Sequence, residues 1–451
     1  MKILIVGVGK LGEHLAKNLI MEKNEVTLID MDFATSQDTI HNEDLNYIYG
    51  NGLDSVVLIE AGIEDTDLLI SVMDKDEQNV MCCLLGKKLG AKHTIARIRN
   101  PEYSNSISIL KEELGLSMTI NPEILTARHI ARVLSIPSAL DVTTFFKGKI
   151  EMISLKVKDE SKLEGLTISS LSKKLNGKVI VCAIERNNEI IIPHGNIKIQ
   201  ENDKLHITGT HKDINEFLKF ADLISEKTEK VIISGGSDTA IYLAKLLIER
   251  DMSVKIIEMN EERCEKLSEV LPEALIINGD VSDQNLLYEE GIEDTDAFVS
   301  LNSIDEENII YSMFASSLKV PKIITKVNHI NLDGIIEKAD IDTIITPHKI
   351  ATNQIVKYIR AMEKSKKSSC DAIYEIDNGL FEMLEFNIKN DFKAIDTKLK
   401  DIKLKEGILI ASIYRDKKII FPNGEEMIKE KDTIIVVDCK DIVKDVNDIL
   451  E

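Results

Sequence analysis

Three glycines near the N-terminus and one acid after them have the spacing of a site that binds the diphosphate and ribose of a nucleotide. Gly7, Gly9 and Gly12 match the pattern G-x-G-x-x-G. In such a loop Gly7 permits a tight turn, Gly9 lets the backbone approach a phosphate, and Gly12 lets a helix pack close to a strand. Asp30 follows at the place where a carboxylate accepts hydrogen bonds from ribose hydroxyls. The alternative interpretation is a glycine-rich turn in a sheet that binds nothing.

The elements that must position these residues are a strand, a helix and a second strand. Residues 3–6 are a short apolar run bounded by glycine, which predicts a buried strand. Leu11, Leu15 and Leu19 repeat every four residues, which predicts a helix that begins at the loop. Residues 26–29 form the second predicted strand, and the acid stands at its carboxyl end. The free N–H groups and positive dipole end of the helix favour a phosphate there.

The same alternation of strands and helices continues along the first third of the chain. Further strands are predicted over residues 47–49, 68–72, 94–98 and 118–120, with helices over 77–89 and 106–114. Strands separated by helical segments predict a doubly wound parallel sheet with helices on both faces. Pro122 is expected to begin a long helix that ends before Pro137.

After Pro137 the pattern changes to a small α+β unit. Strands are predicted over residues 150–157, 179–185 and 203–208, and helices over 166–175 and 213–220. Turn signals between these strands indicate hairpins instead of crossovers. The fold class expected is therefore α/β for the large unit and α+β for the small one.

The chain then repeats both units in the same order. The glycine loop recurs at Gly235, the segment Gly-Ile-Glu-Asp-Thr-Asp of residues 62–67 recurs unchanged at 291–296, and residues 181–186 correspond to 410–415. Matching segments in the same order indicate an internal duplication. We expect four domains, which span residues 1–136, 137–226, 227–364 and 365–451, with residues 364–369 as the last linker.

Composition excludes several classes of protein. The chain has 451 residues, 43% of them hydrophobic, and a formal net charge of −21. This charge repels nucleic-acid phosphates and anionic lipid surfaces. No apolar run approaches the length of about 20 residues that spans a bilayer, and we expect no signal peptide. The six scattered cysteines form no Cys-x-x-Cys pair and are expected to be buried free thiols, with no metal site.

The duplicated plan, together with the loop, Asp30 and residues 95–99, resembles the TrkA family of regulatory subunits of Trk potassium-uptake systems. The resemblance covers essentially the whole chain. It implies two Rossmann-like RCK-N domains, each followed by an RCK-C domain, in a homotetrameric ring. It also implies a cytoplasmic protein on the inner face of the membrane, docked on a TrkH/TrkG-like potassium-translocating subunit. NAD(H), ATP and ADP are the regulatory ligands implied, and no catalytic residue is expected.

The resemblance assigns eleven residues to nucleotide binding, and the sheet topology would place them at or just past carboxyl strand ends. Met73 and Asp74 match the adenine and ribose side, whereas Arg97 matches a basic residue that contacts phosphates. The alternatives that involve no ligand are a surface ion pair for Arg97 and helix-capping roles for Asp74 and Asp76. The assigned residues are Gly7, Val8, Gly9, Lys10, Leu11, Asp30, Asn51, Gly52, Met73, Asp74 and Arg97.

The second copy departs from the pattern at several of these positions. Gly9 corresponds to Ser237, Gly12 to Ala240 and Arg97 to Lys326, whereas Glu258 keeps the acid of Asp30. A side chain at position 237 weakens close approach of a pyrophosphate. The sequence therefore leaves open whether the second copy binds nucleotide or has only a structural role.

Two rival functions share this fold. An NAD-dependent oxidoreductase would need an acid or base near the nicotinamide, and none of the nine histidines stands in a recognisable catalytic constellation. A nucleotide-sensing regulator without a membrane partner is the second rival. The small domains are open to either a hydrophobic dimer contact or a ligand pocket.

Overall fold

The residues that the structure describes form four β-sheets, one for each unit of the duplication. A computed structural model describes residues 1–451 apart from 33–44, 101–102, 104–108, 110, 160, 188, 224–226, 329–340, 342, 365–369, 377–380, 440–442 and 444. Two sheets are parallel and six-stranded, and two are antiparallel and five-stranded. The predicted fold class is therefore confirmed. Residues 1–134 and 228–356 form one compact unit, and residues 135–227 and 357–451 form another.

The first large half has its strands in the order β3-β2-β1-β4-β5-β6. Successive strands are added on one side of β1 as far as β3, and then on its other side from β4 to β6. Ligands bind in such parallel sheets at the carboxyl ends of the strands, beside the point where this side changes. Its strands are β1 (Lys2–Val6), β2 (Glu25–Asp30), β3 (Leu45–Tyr49), β4 (Leu68–Ser71), β5 (His93–Arg97) and β6 (Met118–Ile120). Its helices are α1 (Lys10–Met21), α2 (Ser55–Glu60), α3 (Asp76–Leu89) and α4 (Pro122–Ser135).

The core of this half follows from its apolar pattern. All four residues of β4 are buried, and in β1 only Lys2 is exposed. Helices cover both faces of a parallel sheet, so such strands are continuous apolar runs. Leu11, Leu15 and Leu19 form the buried stripe of α1, as the sequence predicts. Cys82 is packed within this core, where burial raises the pKa of its thiol to about 11.

The second large half repeats the strand order, as β14-β13-β12-β15-β16-β17. Its strands are β12 (Lys230–Ser234), β13 (Ser253–Glu258), β14 (Leu275–Asn278), β15 (Ala297–Ser300), β16 (Lys322–Lys326) and β17 (Thr343–Ile345). Its helices are α7 (Asp238–Ile248), α8 (Glu261–Val270), α9 (Gln284–Glu289), α10 (Asp305–Ser317) and α11 (Pro347–Lys364).

The two small sheets are built from hairpins. The first contains β7 (Asp141–Phe145), β8 (Ile150–Lys156), β9 (Val179–Arg186), β10 (Glu189–Ile191) and β11 (Lys204–Gly209), with α5 (Ile168–Lys174) and α6 (His211–Phe220). The second contains β18 (Cys370–Ile376), β19 (Phe381–Asn387), β20 (Ile408–Arg415), β21 (Lys418–Ile420) and β22 (Thr433–Asp438). One apolar cluster joins the two sheets, with Phe145 and Met152 from the first and Phe381 and Met383 from the second.

Each small domain contains a buried aspartate that is paired with a partly buried arginine at the same position. Arg186 binds both carboxylate oxygens of Asp203, at 2.7 and 2.8 Å, and Arg415 binds Asp432 in the same way. Each aspartate also accepts a backbone N–H from residues just before its strand. Paired carboxylates of this kind are structural, because every oxygen is occupied within the domain.

Some sequence predictions missed elements or cannot be compared. The short strands β7 and β10 were not predicted, because runs as brief as Glu189–Ile191 carry little periodicity. The helix predicted over residues 106–114 was wrong at its end, because residues 111–114 form a turn, whereas 106–108 and 110 lie outside the described residues. The linker predicted over 364–369 lies outside them apart from its first residue, which ends α11. Among the residues that the structure describes, no helix has the length and apolar character needed to cross a membrane.

The helix that follows the glycine loop packs against the loop itself. A Cβ on Gly12 would overlap the carbonyl oxygen of Gly7, and Val72 lies beside the same point. The second half has Ala240 at the matching position, so the helix of that half leaves more room. Gly12 is therefore required by packing in the first half alone.

We expect Gly12→Ala to destabilise the first half by about 1–3 kcal/mol, because the added methyl group forces the helix away from the loop. The measurements are the thermal unfolding midpoint and hydrogen exchange of the β1 and α1 amides. Ala240→Gly is the matched control, with an expected loss of about 1–2 kcal/mol from helix propensity and from the buried methyl group that it removes. Equal protection of β1 and α1 in wild type and Gly12→Ala would contradict the packing role.

Candidate functional site

Ten of the eleven residues assigned from sequence line a single cavity. It has a volume of about 550 Å³ and lies at the carboxyl ends of the first half's strands. The eleventh, Val8, is buried and contributes its backbone N–H to the loop. The ten residues are Gly7, Gly9, Lys10, Leu11, Asp30, Asn51, Gly52, Met73, Asp74 and Arg97. The structure thus brings the predicted residues together, and their contact with a ligand stays a prediction.

The physical reason for a glycine differs from one position of the loop to the next. Gly7 has φ of +100°, and a Cβ there would lie 2.8 Å from the backbone nitrogen of Met73. Gly9 has ordinary extended angles, with φ −68° and ψ −176°, and its Cβ would meet nothing within 4 Å. Neither the backbone nor the packing of the protein therefore demands glycine at position 9. A ligand that approaches the backbone would supply the missing reason.

Asp30 holds the loop from the end of β2. Its Oδ2 accepts the Val8 N–H at 2.5 Å, and its Oδ1 accepts the Asp32 N–H at 2.9 Å. A carboxylate oxygen can accept two hydrogen bonds, so each oxygen of Asp30 keeps capacity for a ribose hydroxyl. The acid therefore has a structural role that the sequence interpretation did not include.

The turn after β3 forms another wall of the cavity. Asn51 accepts the Leu53 N–H at 3.0 Å and so shapes the turn. A Cβ on Gly52 would overlap the side chain of Val6. Gly52 is therefore explained by packing, whereas Asn51 is exposed at the cavity.

Asn79 positions the ends of β4 and β5, and sequence reasoning missed it. Its side chain is completely buried and accepts hydrogen bonds from Ser71 Oγ and the Met73 N–H. Its amide nitrogen donates to the carbonyl groups of Met73 and Arg97. Asn308 repeats this network in the second half, so the duplication was the signal that could have found it.

The two acids before α3 have different roles. Asp76 is buried and accepts the N–H groups of Arg99 and Asn100, each at 2.8 Å, so it anchors the segment after β5. Asp74 lines the cavity, and its carbonyl accepts a hydrogen bond from the Arg99 side chain. Neither forms the N-cap of α3, which is Lys75, so the capping alternative was wrong.

Arg97 lies in the cavity wall beside Glu123, the second residue of α4. The two side chains approach to 3.6 Å and are largely buried. Burial lowers the pKa of the Arg97 guanidinium and raises the pKa of the Glu123 carboxyl, so desolvation outweighs their attraction. Arg97 Nε and Glu123 Oε2 have no hydrogen-bond partner among the described residues. An anion in the cavity could satisfy the guanidinium, in contrast with the alternative of a surface ion pair.

The second large half supplies the opposite wall. Lys326, which corresponds to Arg97, donates from Nζ to the Leu301 carbonyl at 3.1 Å. Burial lowers the pKa of Lys326, and the nearby Lys10 lowers it further, whereas Asp305 and Glu123 raise it. The second-half residues that line the cavity are Thr239, Lys326, Asn328, Pro347 and His348. No local motif predicts such residues, because the folding of the compact unit brings them there.

His348 also touches the first half directly. Its ring packs edge-on against that of His14 in α1, with centroids 4.9 Å apart. Burial, reinforced by Lys349 and Lys17, lowers the pKa of His14 to about 4. His14 is therefore neutral at pH 7 and adds no charge to the rim of the cavity.

Comparison with known proteins gives matches along the whole chain. The family model described as TrkA-N domain matches residues 3–122 and 231–347, and that described as TrkA-C domain matches 152–222 and 383–450. The Trk system potassium uptake protein TrkA homolog 1 of Methanosarcina mazei is 32% identical, with 97% of each chain covered. TrkA of Haemophilus influenzae is 31% identical, over 97% of this chain and 95% of that protein.

Solved structures share the fold at lower identity. The structure titled "GsuK channel bound to NAD" is 16% identical with a TM-score of 0.64, and covers 97% of this chain and 77% of that one. The crystal structure of the GsuK RCK domain is also 16% identical, with a TM-score of 0.63 over 97% of this chain and 92% of that one. These likenesses support the arrangement of large and small sheets.

We expect Asn79→Ala to lower the thermal unfolding midpoint by several degrees, because it leaves buried groups at the ends of β4 and β5 without hydrogen bonds. Each such group costs about 1–3 kcal/mol. Hydrogen exchange at the Met73 amide should rise as well. The control is Gln78→Ala, which changes the neighbouring side chain at the cavity surface and should leave both readouts unchanged. A Met73 amide as protected in Asn79→Ala as in wild type would exclude the positioning role.

Proposed function

The chain belongs to the TrkA family, and from that premise we propose that it is the cytoplasmic regulatory subunit of a potassium-uptake system. In this proposal the cavity of the first large half binds NAD(H), ATP or ADP. The observation that carries it is Gly9, because a glycine that neither backbone angles nor packing requires stands where a phosphate would approach.

The residues present fit a nucleotide of this kind. The N–H groups at the start of α1 would hold the diphosphate, and the helix dipole favours its charge. Asp30 would accept the ribose hydroxyls, and it disfavours NADP, whose 2′-phosphate would meet a carboxylate. Arg97 has an unsatisfied Nε and would bind a phosphate from the opposite wall. The titles of GsuK structures name NAD and ADP as bound to that channel, which supports the same ligand class here.

The proposed role of the nucleotide is regulation. The cavity walls come from both large halves, with Lys10 and Asp30 on one side and Lys326 and His348 on the other. A ligand that contacts both walls binds best to one relative position of the halves, and this difference in affinity shifts the conformational equilibrium. A ligand that bound all positions equally would shift nothing.

The proposal extends to assembly and partner. We propose four domains with the limits 1–136, 137–226, 227–364 and 365–451, and a homotetrameric ring. The ring would dock on a TrkH/TrkG-like membrane subunit. A net charge of −21 disfavours direct attachment to anionic lipids, so docking through a protein partner is the consistent route. Co-purification with the membrane subunit separates this role from that of a regulator without a membrane partner.

Replacing Asp30 by Ala should weaken every ribose-containing ligand, because the sugar hydroxyls lose their acceptor. Thermal-shift measurements with ATP, ADP, NAD and NADH test this, since stabilisation follows site occupancy. Glu258→Ala is the matched control, because it removes the corresponding loop contact of the second half. Unchanged shifts in Asp30→Ala would remove the assignment. NADH consumption by the wild-type chain with any tested substrate would favour the oxidoreductase instead.

Removing both charges of the Arg97–Glu123 pair should weaken the binding of ATP, which carries phosphates, more than the binding of adenosine, which carries none. The double variant Arg97→Gln, Glu123→Gln avoids leaving a buried carboxylate without its cation. We expect it to weaken ATP about 10-fold or more, the effect of losing one charge-assisted hydrogen bond, and to leave adenosine affinity nearly unchanged. Calorimetric titration without divalent cations measures both.

The control for this variant is Glu123→Gln alone. It keeps the guanidinium and removes a carboxylate that competes with phosphate for it, so ATP affinity should stay equal or rise. Equal losses of ATP and adenosine affinity in the double variant would argue against a phosphate contact by Arg97.

A further inference from the structure

The second large half keeps the framework of the glycine loop. Glu258 Oε2 accepts the Gly236 N–H at 2.7 Å, and its Oε1 accepts the Asn260 N–H at 2.8 Å. These contacts match those of Asp30 with the loop of the first half. The second loop is therefore folded in the same way and differs only in the groups that cover it.

The first difference is at the helix N-terminus. Ser237 has φ −67° and ψ 169°, nearly the angles of Gly9, but its hydroxyl accepts the Ala240 N–H at 3.4 Å. Gly9 offers no side chain for such a cap. The Ala240 N–H at the start of α7 is thus already hydrogen-bonded within the chain, whereas the corresponding N–H at the start of α1 has no such cap and is available to a ligand.

The second difference is an arginine that lies across the loop. Arg263, in the first turn of α8, donates from Nε to the Gly236 carbonyl at 2.6 Å. Its Nη2 binds Asp238 Oδ1 at 2.8 Å. Asn260 fixes the start of α8 by accepting the Arg263 N–H at 2.8 Å. The guanidinium therefore connects α8, the loop and α7.

The charge at the loop is also reversed. Asp238 occupies the position of Lys10, so a carboxylate replaces an ammonium group at the start of the helix. A carboxylate there is favourable to the helix dipole but repels an incoming phosphate. Arg263 neutralises it within the domain. At the same distance after β2 the first half has Thr35, which cannot form such a pair and lies outside the described residues.

We propose that the second large half binds no nucleotide, because Arg263, Asp238 and Ser237 close its loop where a ligand diphosphate would bind. The chain then holds one nucleotide, in the first half. The second half stays closed at any nucleotide concentration, and its contribution is the wall that carries Lys326 and His348. This inference rests on the proposed function of the first half.

Binding stoichiometry tests it with a matched pair of variants. Gly9→Asp and Ser237→Asp place the same residue at corresponding helix N-caps. Aspartate is a good N-cap, and a Cβ on Gly9 meets nothing within 4 Å, so both chains should fold. Calorimetric titration with ATP and with NADH should give about one nucleotide per chain for wild type and for Ser237→Asp, and none for Gly9→Asp.

The possible results separate the inference from the function on which it rests. About two nucleotides per wild-type chain, or about one per Gly9→Asp chain that is lost when Ser237→Asp is added, would overturn the inference and leave the proposed function standing. No nucleotide on the wild-type chain would overturn the proposed function and, with it, the stoichiometry of one nucleotide per chain. Circular dichroism and thermal midpoints of the variants show whether each chain is folded.

Hydrogen exchange tests the closing contact without ligand. The double variant Arg263→Ala, Asp238→Ala removes both charges together and leaves neither unpaired. Amide exchange at Gly236 and in α8 should rise at least several-fold in this variant. Glu262→Ala, an exposed neighbour on the same helix, should change neither. Unchanged protection in the double variant would mean that the Arg263–Asp238 pair does not hold the loop closed, and the proposal would fall.

Discussion

A backbone N–H of the glycine loop bound to a carboxylate at the end of the second strand underlies both large halves. Asp30 and Glu258 each bind the loop and the residue two positions beyond themselves. The loop would otherwise expose N–H groups without partners between strand and helix. This contact fixes where α1 and α7 begin, and so where their free N–H groups point. The binding proposed for the first half and the closure proposed for the second both depend on that direction.

The duplicated halves use one framework for different purposes. Around the first loop, Lys10, Arg97 and Lys326 border an open cavity, and Asp30, Asp74 and Glu123 are among the acids that line it. Around the second loop, an internal arginine–aspartate pair takes the same position. A pair formed within the chain loses no translational freedom when it forms, whereas a ligand does. In this proposal, a few substitutions are therefore enough to turn a responsive half into a constant one.

Arg97 and Glu123 form a desolvated pair in the cavity wall. Burial shifts both pKa values against the charged forms, so the pair is held at a cost in free energy. A phosphate would supply the guanidinium with a second acceptor and reduce that cost. Because Glu123 lies in the first turn of α4, the same event acts on the helix that ends the first large half. In the proposed function, occupancy of the cavity would thereby be coupled to the position of this helix.

The sequence alone determined the local elements and the duplication. Apolar runs and a four-residue leucine repeat depend only on neighbours along the chain, so β1, β2 and α1 were predictable, as were ten residues of one cavity wall. Only the tertiary structure revealed the other wall, with Lys326 and His348, the buried network of Asn79, and the arginine over the second loop. The reason is physical: periodicity records which face of an element is buried, whereas contacts between residues far apart in sequence arise only when the elements pack.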